Sequence, residues 1–239
     1  MIRKPNFKLN WKYAFGEIAL IFIGISLAIA VQNWNEERKE NIQLRGYLSA
    51  IQKNLQSDTV AIKAQDRRYK RNQKMAEAYL RNLFLEQYPL DTLSLALNAI
   101  AEQYLSIDQS GFEALKNSGY ISKLQGLEME EKLFQYYSFY TKVVEQEKSL
   151  NNFIESMEVK LFDMENDILI NIFRIFNVAN IQNTGELTQP IAEIAEVLYT
   201  NSNIIGVLQR TADEDSKQYE IMLQNAEELL QLIAKELDN

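Results

Sequence analysis

The sequence predicts an all-α protein: one N-terminal transmembrane helix, then an elongated antiparallel bundle of three long helices joined by short ones. Three observations carry this. Residues 18–31 are fourteen consecutive positions without a charge, bracketed by the chain's only two tryptophans, Trp11 and Trp34. Apolar residues then recur at alternating steps of four and three over three long stretches. There are only eight glycines and three prolines in 239 residues, and no alternating β-branched run bounded by tight-turn dipeptides.

The membrane helix is read over 13–34, with 1–12 as a basic tail and 35–239 as the bundle. Between Tyr13 and Val31 only Glu17 is charged. At a rise of about 1.5 Å per residue this stretch measures roughly 28 Å, close to the hydrocarbon thickness of about 30 Å. Trp11 and Trp34 fall where indole rings prefer to sit, in the two headgroup layers. Arg3, Lys4, Lys8 and Lys12 precede the span without an acid, whereas 36–45 carries three acids and three bases. This positive-inside bias keeps the N-terminus in the cytoplasm and exports the rest, which in a bacterial inner membrane means a periplasmic domain. A cleaved signal peptide competes, because Ala28-Ile29-Ala30 has the small-x-small form of a cleavage site. Against it, the helical pattern runs through that site into Asn33-Trp34-Asn35-Glu36-Glu37-Arg38. Glu17 lies five residues past Lys12, where a carboxylate can snorkel to the interface or pair with a lysine. A proton or ion site, or a polar contact between copies of the helix, is the sharper reading. Gly16, Gly24 and Ala28 share a face that would admit close helix packing.

The first long helix is expected over about 36–87. Its stripe is Leu44, Leu48, Ile51, Leu55, Ile62, Tyr69, Ala76, Tyr79 and Leu83, with Asp58, Gln65 and Asn72 in the missing slots. Pro89 ends it. Asp91 then caps a short helix to about Leu105. Ser110-Gly111-Phe112-Glu113 has the form of a capping box, and the helix it opens stops at Ser118-Gly119, a left-handed cap. The second long helix is expected over about 127–176, on Tyr136, Tyr140, Val143, Leu150, Ile154, Met157, Leu161, Met164 and Ile168, with Glu147 as its one polar slot. Residues 177–190 form a polar connector, and a short helix follows over Ile191 to Tyr199. Asn201-Ser202-Asn203 caps the third long helix, about 203–238, on Ile205, Leu208, Ala212, Tyr219, Met222, Ala226, Leu229 and Ile233, with Asp215 in its polar slot. Matching stripes on helices of this length pack at shallow angles into a rod of roughly 50–70 Å.

Composition removes many chemistries. With no cysteine and no histidine there is no thiol nucleophile, disulfide, imidazole base or haem–histidine ligation. No catalytic residue, cofactor or metal is implied, and the expectation is a protein that is not an enzyme. The charge of −8 is uneven: 46–90 holds eight bases and four acids, 151–239 five bases and sixteen acids. That acidity argues against nucleic acid as a partner. Asp163-Met164-Glu165-Asn166-Asp167 lacks the glycine of a calcium loop and lies within a helical stripe. Lys116 and Ser118, two apart at a helix end, do not face each other as a dyad.

Two clusters remain as candidates. Arg67, Arg68, Lys70, Arg71 and Lys74 are basic, and all but Arg68 share a face. They are either a solvated surface or a site for phospholipid, polysaccharide or, the favoured option, the acidic third helix of the same or a neighbouring copy. Phe112, Tyr136, Tyr137 and Tyr140 form an aromatic knot, with Phe139, Leu115 and Tyr120 nearby. It reads first as core, and second as the end of the bundle where a small apolar ligand would enter.

The stretch KYAFGEIALIFIGISLAIAVQNWNEERKE (Lys12 to Glu40) resembles the N-terminal signature of a family of uncharacterised bacterial single-pass proteins. There a Gly-Glu pair opens the membrane helix and Asn-Trp-Asn-Glu-Glu-Arg closes it, here Gly16-Glu17 and Asn33 to Arg38. GFEALKNSG (Gly111 to Gly119) is similar to that family's second block. The resemblance implies an anchored helical architecture and supplies no catalytic residues. The expected role is a membrane-tethered scaffold or partner-binding module. Its partners would be the bilayer and either further copies in a homo-oligomer or another membrane protein. The runner-up is a helical-bundle sensor of a small ligand, signalling through a membrane partner. A third reading is an ion conduit using Glu17.

Overall fold

A computed structural model describes residues 11–161, 166–176, 189–214 and 216–238. Among these the chain is helical throughout its regular structure, with no strand. The elements are α1 (Trp11–Phe84), α2 (Leu90–Ala99), α3 (Ser110–Asn117), a 3-10 turn (Tyr120–Leu124), α4 (Glu128–Leu161), α5 (Asn166–Phe176), α6 (Ile191–Tyr199), α7 (Ser202–Asp213) and α8 (Lys217–Asp238). The calcium-loop-like residues Asp163 to Glu165, most of the polar connector and Asp215 lie outside the described residues.

The apolar N-terminal helix and the first bundle helix are a single element. α1 runs 74 residues without a break, about 110 Å. Its first part is apolar enough and long enough to cross a membrane, and none of that apolar window is buried. From Leu20 to Lys39 every side chain is exposed; packing begins near Glu40. Beyond that point the stripe goes inside as its spacing requires: Leu48, Ile51, Leu55, Ile62, Tyr69, Ala76 and Tyr79 are buried in one continuous core. Each fully buried side chain of this kind contributes about 1.5–3 kcal/mol.

Contacts fix the direction of each leg. Lys63 meets Glu227 at 3.4 Å and Lys70 meets Glu220 at 2.7 Å, so α8 runs antiparallel to α1. Arg45 donates to the carbonyls of Glu236 and Leu237, satisfying acceptors that the last turn of α8 leaves open. At the other end Tyr79 donates to the carbonyl of Tyr199 at 2.7 Å, and its ring stacks on that of Tyr199 at 4.6 Å. α4 runs with α1: Tyr136 reaches Asp58, and Glu147 reaches Gln65. The chain between them returns as α2, residues 101–109, α3 and the 3-10 turn. Successive legs therefore alternate up and down, and the second leg is not one long helix.

Three details differ from the sequence reading. The helix after Pro89 stops at Ala99 instead of about Leu105, and Asp91 makes no side-chain cap. The capping box does not form: Asp108 Oδ1 accepts the N–H of Ser110, and Glu113 pairs with Lys116 at 3.0 Å. The second long helix is described as α4 up to Leu161 and as α5 from Asn166, with 162–165 outside the described residues. The third breaks at Glu214 into α7 and α8, where the backbone turns extended. The caps at Gly119, with φ of 78°, and at Asn201, whose side chain accepts from Asn203 and Ile204 N–H, stand as expected.

Candidate functional site

Three regions carry side chains placed for something other than packing. The first is a polar seam that residues 101–109 make with the polar slots of the long helices. Glu102 sits level with Arg68 and Asp108 level with Asp58, so six residues of the returning leg span about 15 Å of α1. This is an extended path, and an extended path cannot satisfy its own backbone. The facing helices supply the partners. The Leu105 N–H donates to Glu147 Oε2 at 2.8 Å and the Asp108 N–H to Asp58 Oδ1 at 3.0 Å. Asn151 brackets Gln103, accepting its N–H at 3.1 Å and donating to its carbonyl at 2.8 Å. Asn54 Oδ1 accepts the Gly111 N–H at 3.1 Å.

Glu147 is the hub. Its Oε1 also accepts the Tyr219 hydroxyl at 2.6 Å and the Gln65 amide at 3.2 Å, so it ties α1, α4, α8 and the returning leg together. Asp58 accepts the Tyr136 hydroxyl at 3.1 Å. Burial pushes both carboxyls above their ordinary range, against the hydrogen bonds they accept. Burial, with the adjacent carboxylates, likewise raises the Tyr136 and Tyr219 hydroxyls. A seam of this kind orders chain. Both oxygens of Asp58 and both of Glu147 already hold a donor.

The second region is the basic cluster. Arg67, Lys70, Arg71 and Lys74 line a half-open cavity of about 450 Å³ between α1 and α2, completed by Met75, Ala78, Thr92 and Leu95. Lys70 bonds Asp66 at 2.9 Å and Glu220 of α8, the acidic third helix named as its complement. Arg68 turns away and donates to the Glu102 carbonyl at 3.2 Å. Arg67, Arg71 and Lys74 are exposed and make no ion pair among the described residues.

The third is the apolar N-terminal stretch of α1. Trp11, Gly16, Glu17, Gly24, Ala28 and Trp34 all lie on the exposed part of α1. An added Cβ at Gly16 or Gly24 would meet no atom within 4 Å, so nothing in the subunit itself requires a glycine there.

The aromatic knot is brought together as core. Phe112 stacks on Tyr137 at 4.2 Å and meets Phe134 edge-on at 5.6 Å, and Tyr136 is fully buried. Tyr140 is half-buried and donates to the Leu105 carbonyl at 3.3 Å. Tyr120 packs on Tyr47 instead, at 5.8 Å. Asn54 and Asn151 were not apparent from the sequence. The signal was there in part: polar residues facing a stretch that lacks helical spacing.

Comparison with protein-family models, curated proteins and solved structures returns no match for this chain.

Proposed function

We propose that the protein is a membrane-anchored, non-catalytic scaffold that holds a helical bundle outside the cytoplasm and binds a partner there, a second copy being the first choice. The carrying observation is α1 itself. One unbroken helix is bare and apolar at one end and forms a wall of the core at the other. The four bases ahead of the span support an orientation with the N-terminus inside and the bundle outside, which in a bacterial inner membrane is periplasmic. The resemblance of 12–40 and 111–119 to single-pass proteins supports the same arrangement. The absence of cysteine makes the test direct. Single cysteines at Asn35 and Asp238 should react with a membrane-impermeant maleimide in intact cells, and one at Lys4 should not. A cleaved leader would separate Lys4 from the mature chain, and an inverted topology would reverse the pattern. Cross-linking in native membranes should then give homo-oligomers or one fixed partner; a solitary monomer sinks the scaffold.

A second reading is favoured by the same continuity. α1 lines the cavity at Arg67 to Ala78 and is also the helix that enters the bilayer. A ligand that displaces α1 against α2 would pass that shift to the membrane without a hinge, which is what a sensor needs.

A further inference from the structure

We propose that the groove between α1 and α2 is a binding site for an anionic amphiphile, an acid head group carrying a single alkyl chain. The groove has two chemically distinct parts. One wall is cationic. Arg67, Arg71 and Lys74 stand at successive turns of α1, and with Lys70 held by Asp66 and Glu220 these three have no acidic partner among the described residues. Like charges at these spacings work against the helix that carries them, by a few tenths of a kcal/mol per pair. Three together, in a chain of net charge −8, form a local positive field that an anion would relieve.

The floor is apolar. Met75, Ala78 and Leu95 line it, Thr92 is the one neutral polar side chain, and Leu95 remains about half exposed (49%). An exposed leucine facing a flexible methionine gives an alkyl chain a surface that adapts to it. The cavity, about 450 Å³, falls within the range of roughly 300–1,000 Å³ for small-molecule sites. A bare phosphate would leave this floor wet, and a polysaccharide would find few hydrogen-bonding groups on it. The head belongs at the guanidinium groups of Arg67 and Arg71, whose fork suits carboxylate and phosphate alike. The binding chemistry does not depend on the anchored reading. Where that reading holds, the groove stands about 50–60 Å beyond Trp34, so the amphiphile is one free of the bilayer.

The test uses the full chain in phosphatidylcholine nanodiscs, with a dodecanoate analogue bearing a diazirine near the end of its chain. After photolysis, mass spectrometry should place label on the peptides holding Met75 and Leu95. Excess dodecanoate and excess dodecyl phosphate should each compete; competition by only one still supports the site and assigns its head group. Arg67→Gln/Arg71→Gln/Lys74→Gln, three exposed changes, should cut groove labelling by at least about tenfold while the circular-dichroism melt stays put. Leu95→Glu should do the same with the cations intact. Label confined to 15–31, or undiminished in the triple variant, overturns the proposal. So does equal competition by dodecyltrimethylammonium or by inorganic phosphate. Label on the groove that joins it to a second copy of the chain overturns it too, because a neighbour would then fill the space.

Discussion

Glu147 shows how much one side chain sets in this fold. It accepts from the Leu105 N–H, the Tyr219 hydroxyl and the Gln65 amide, all in the core. Glu147→Leu leaves three buried donors without an acceptor, at about 1–3 kcal/mol each. The expected loss is at least about 3 kcal/mol, read from the urea midpoint of the full chain in nanodiscs. Protection of the 101–109 amides from hydrogen exchange should fall with it. The pH dependence has a defined sign. Burial raises the folded carboxyl above the ordinary glutamate value of 4.5. Between the two values the folded state binds more protons than the unfolded one, so stability falls as pH rises. The contribution is fully present below about pH 4.5 and is lost as pH climbs through the raised folded value. Wild type minus Glu147→Gln should therefore show a stability difference that declines upward from pH 4.5. A difference that is flat or rises would mean that the hydrogen bonds Glu147 accepts outweigh its burial.

At the scale of elements, α3 sits against α1 because of a missing side chain. A Cβ on Gly111 would lie 2.6 Å from Asn54 Oδ1 and 2.9 Å from the Ile51 nitrogen, which is α1 backbone and cannot yield cheaply. Gly111→Ala is expected to cost about 1–3 kcal/mol and to loosen α3 and the 3-10 turn before the rest. The readout is hydrogen exchange, fastest in 110–124 if the clash is local. The sequence offered Gly111 in a capping box and in the block Gly111 to Gly119, and neither points to this contact, since close approach of two distant segments leaves no local mark. The heptad slots were more legible. Asp58, Gln65, Asn72 and Glu147 interrupt apolar stripes at core positions, and all four are buried. What periodicity could not supply was the partner of Asp58 and Glu147, a non-helical leg whose backbone these two satisfy; Gln65 bonds Glu147, and the buried Asn72 amide nitrogen has no partner among the described residues. That leg was hidden because no glycine or proline falls between Asp91 and Ser110 to mark the end of the helix. The break at Glu214 was hidden for a different reason. No glycine or proline marks it, and the stripe from Ala212 to Tyr219 keeps phase across it. The physical cause is charge: Asp213 and Glu214 sit at the C-terminal end of α7, where the helix dipole disfavours acids. Thr211 also bonds back to the Val207 carbonyl at 2.9 Å, which weakens the last turn.

For the whole molecule the governing feature is that α1 is one rod. From Trp34 to its end at Phe84 it extends about 75 Å, and the bundle is built on all but its first few residues. Among the described residues none covers Asn35 to Lys39, so the helix alone joins the apolar N-terminal part of α1 to the bundle there. This makes the linkage separable from the fold. A proline at Arg38 breaks hydrogen bonds only in that uncovered stretch. The melt of the bundle should move by less than about 0.5 kcal/mol, as for surface changes generally. The orientation of the bundle should not survive. A spin label on a cysteine at Glu86, measured against labels in the nanodisc headgroups, should give one narrow distance distribution near 70–75 Å in the unbroken chain. In Arg38→Pro it should broaden toward shorter values. If the two distributions coincide, something outside this subunit braces the stalk. A second copy pairing along 15–39 would be the first place to look, and the cross-linked species would then be expected to lose their stalk contacts on Gly24→Leu while keeping the bundle intact.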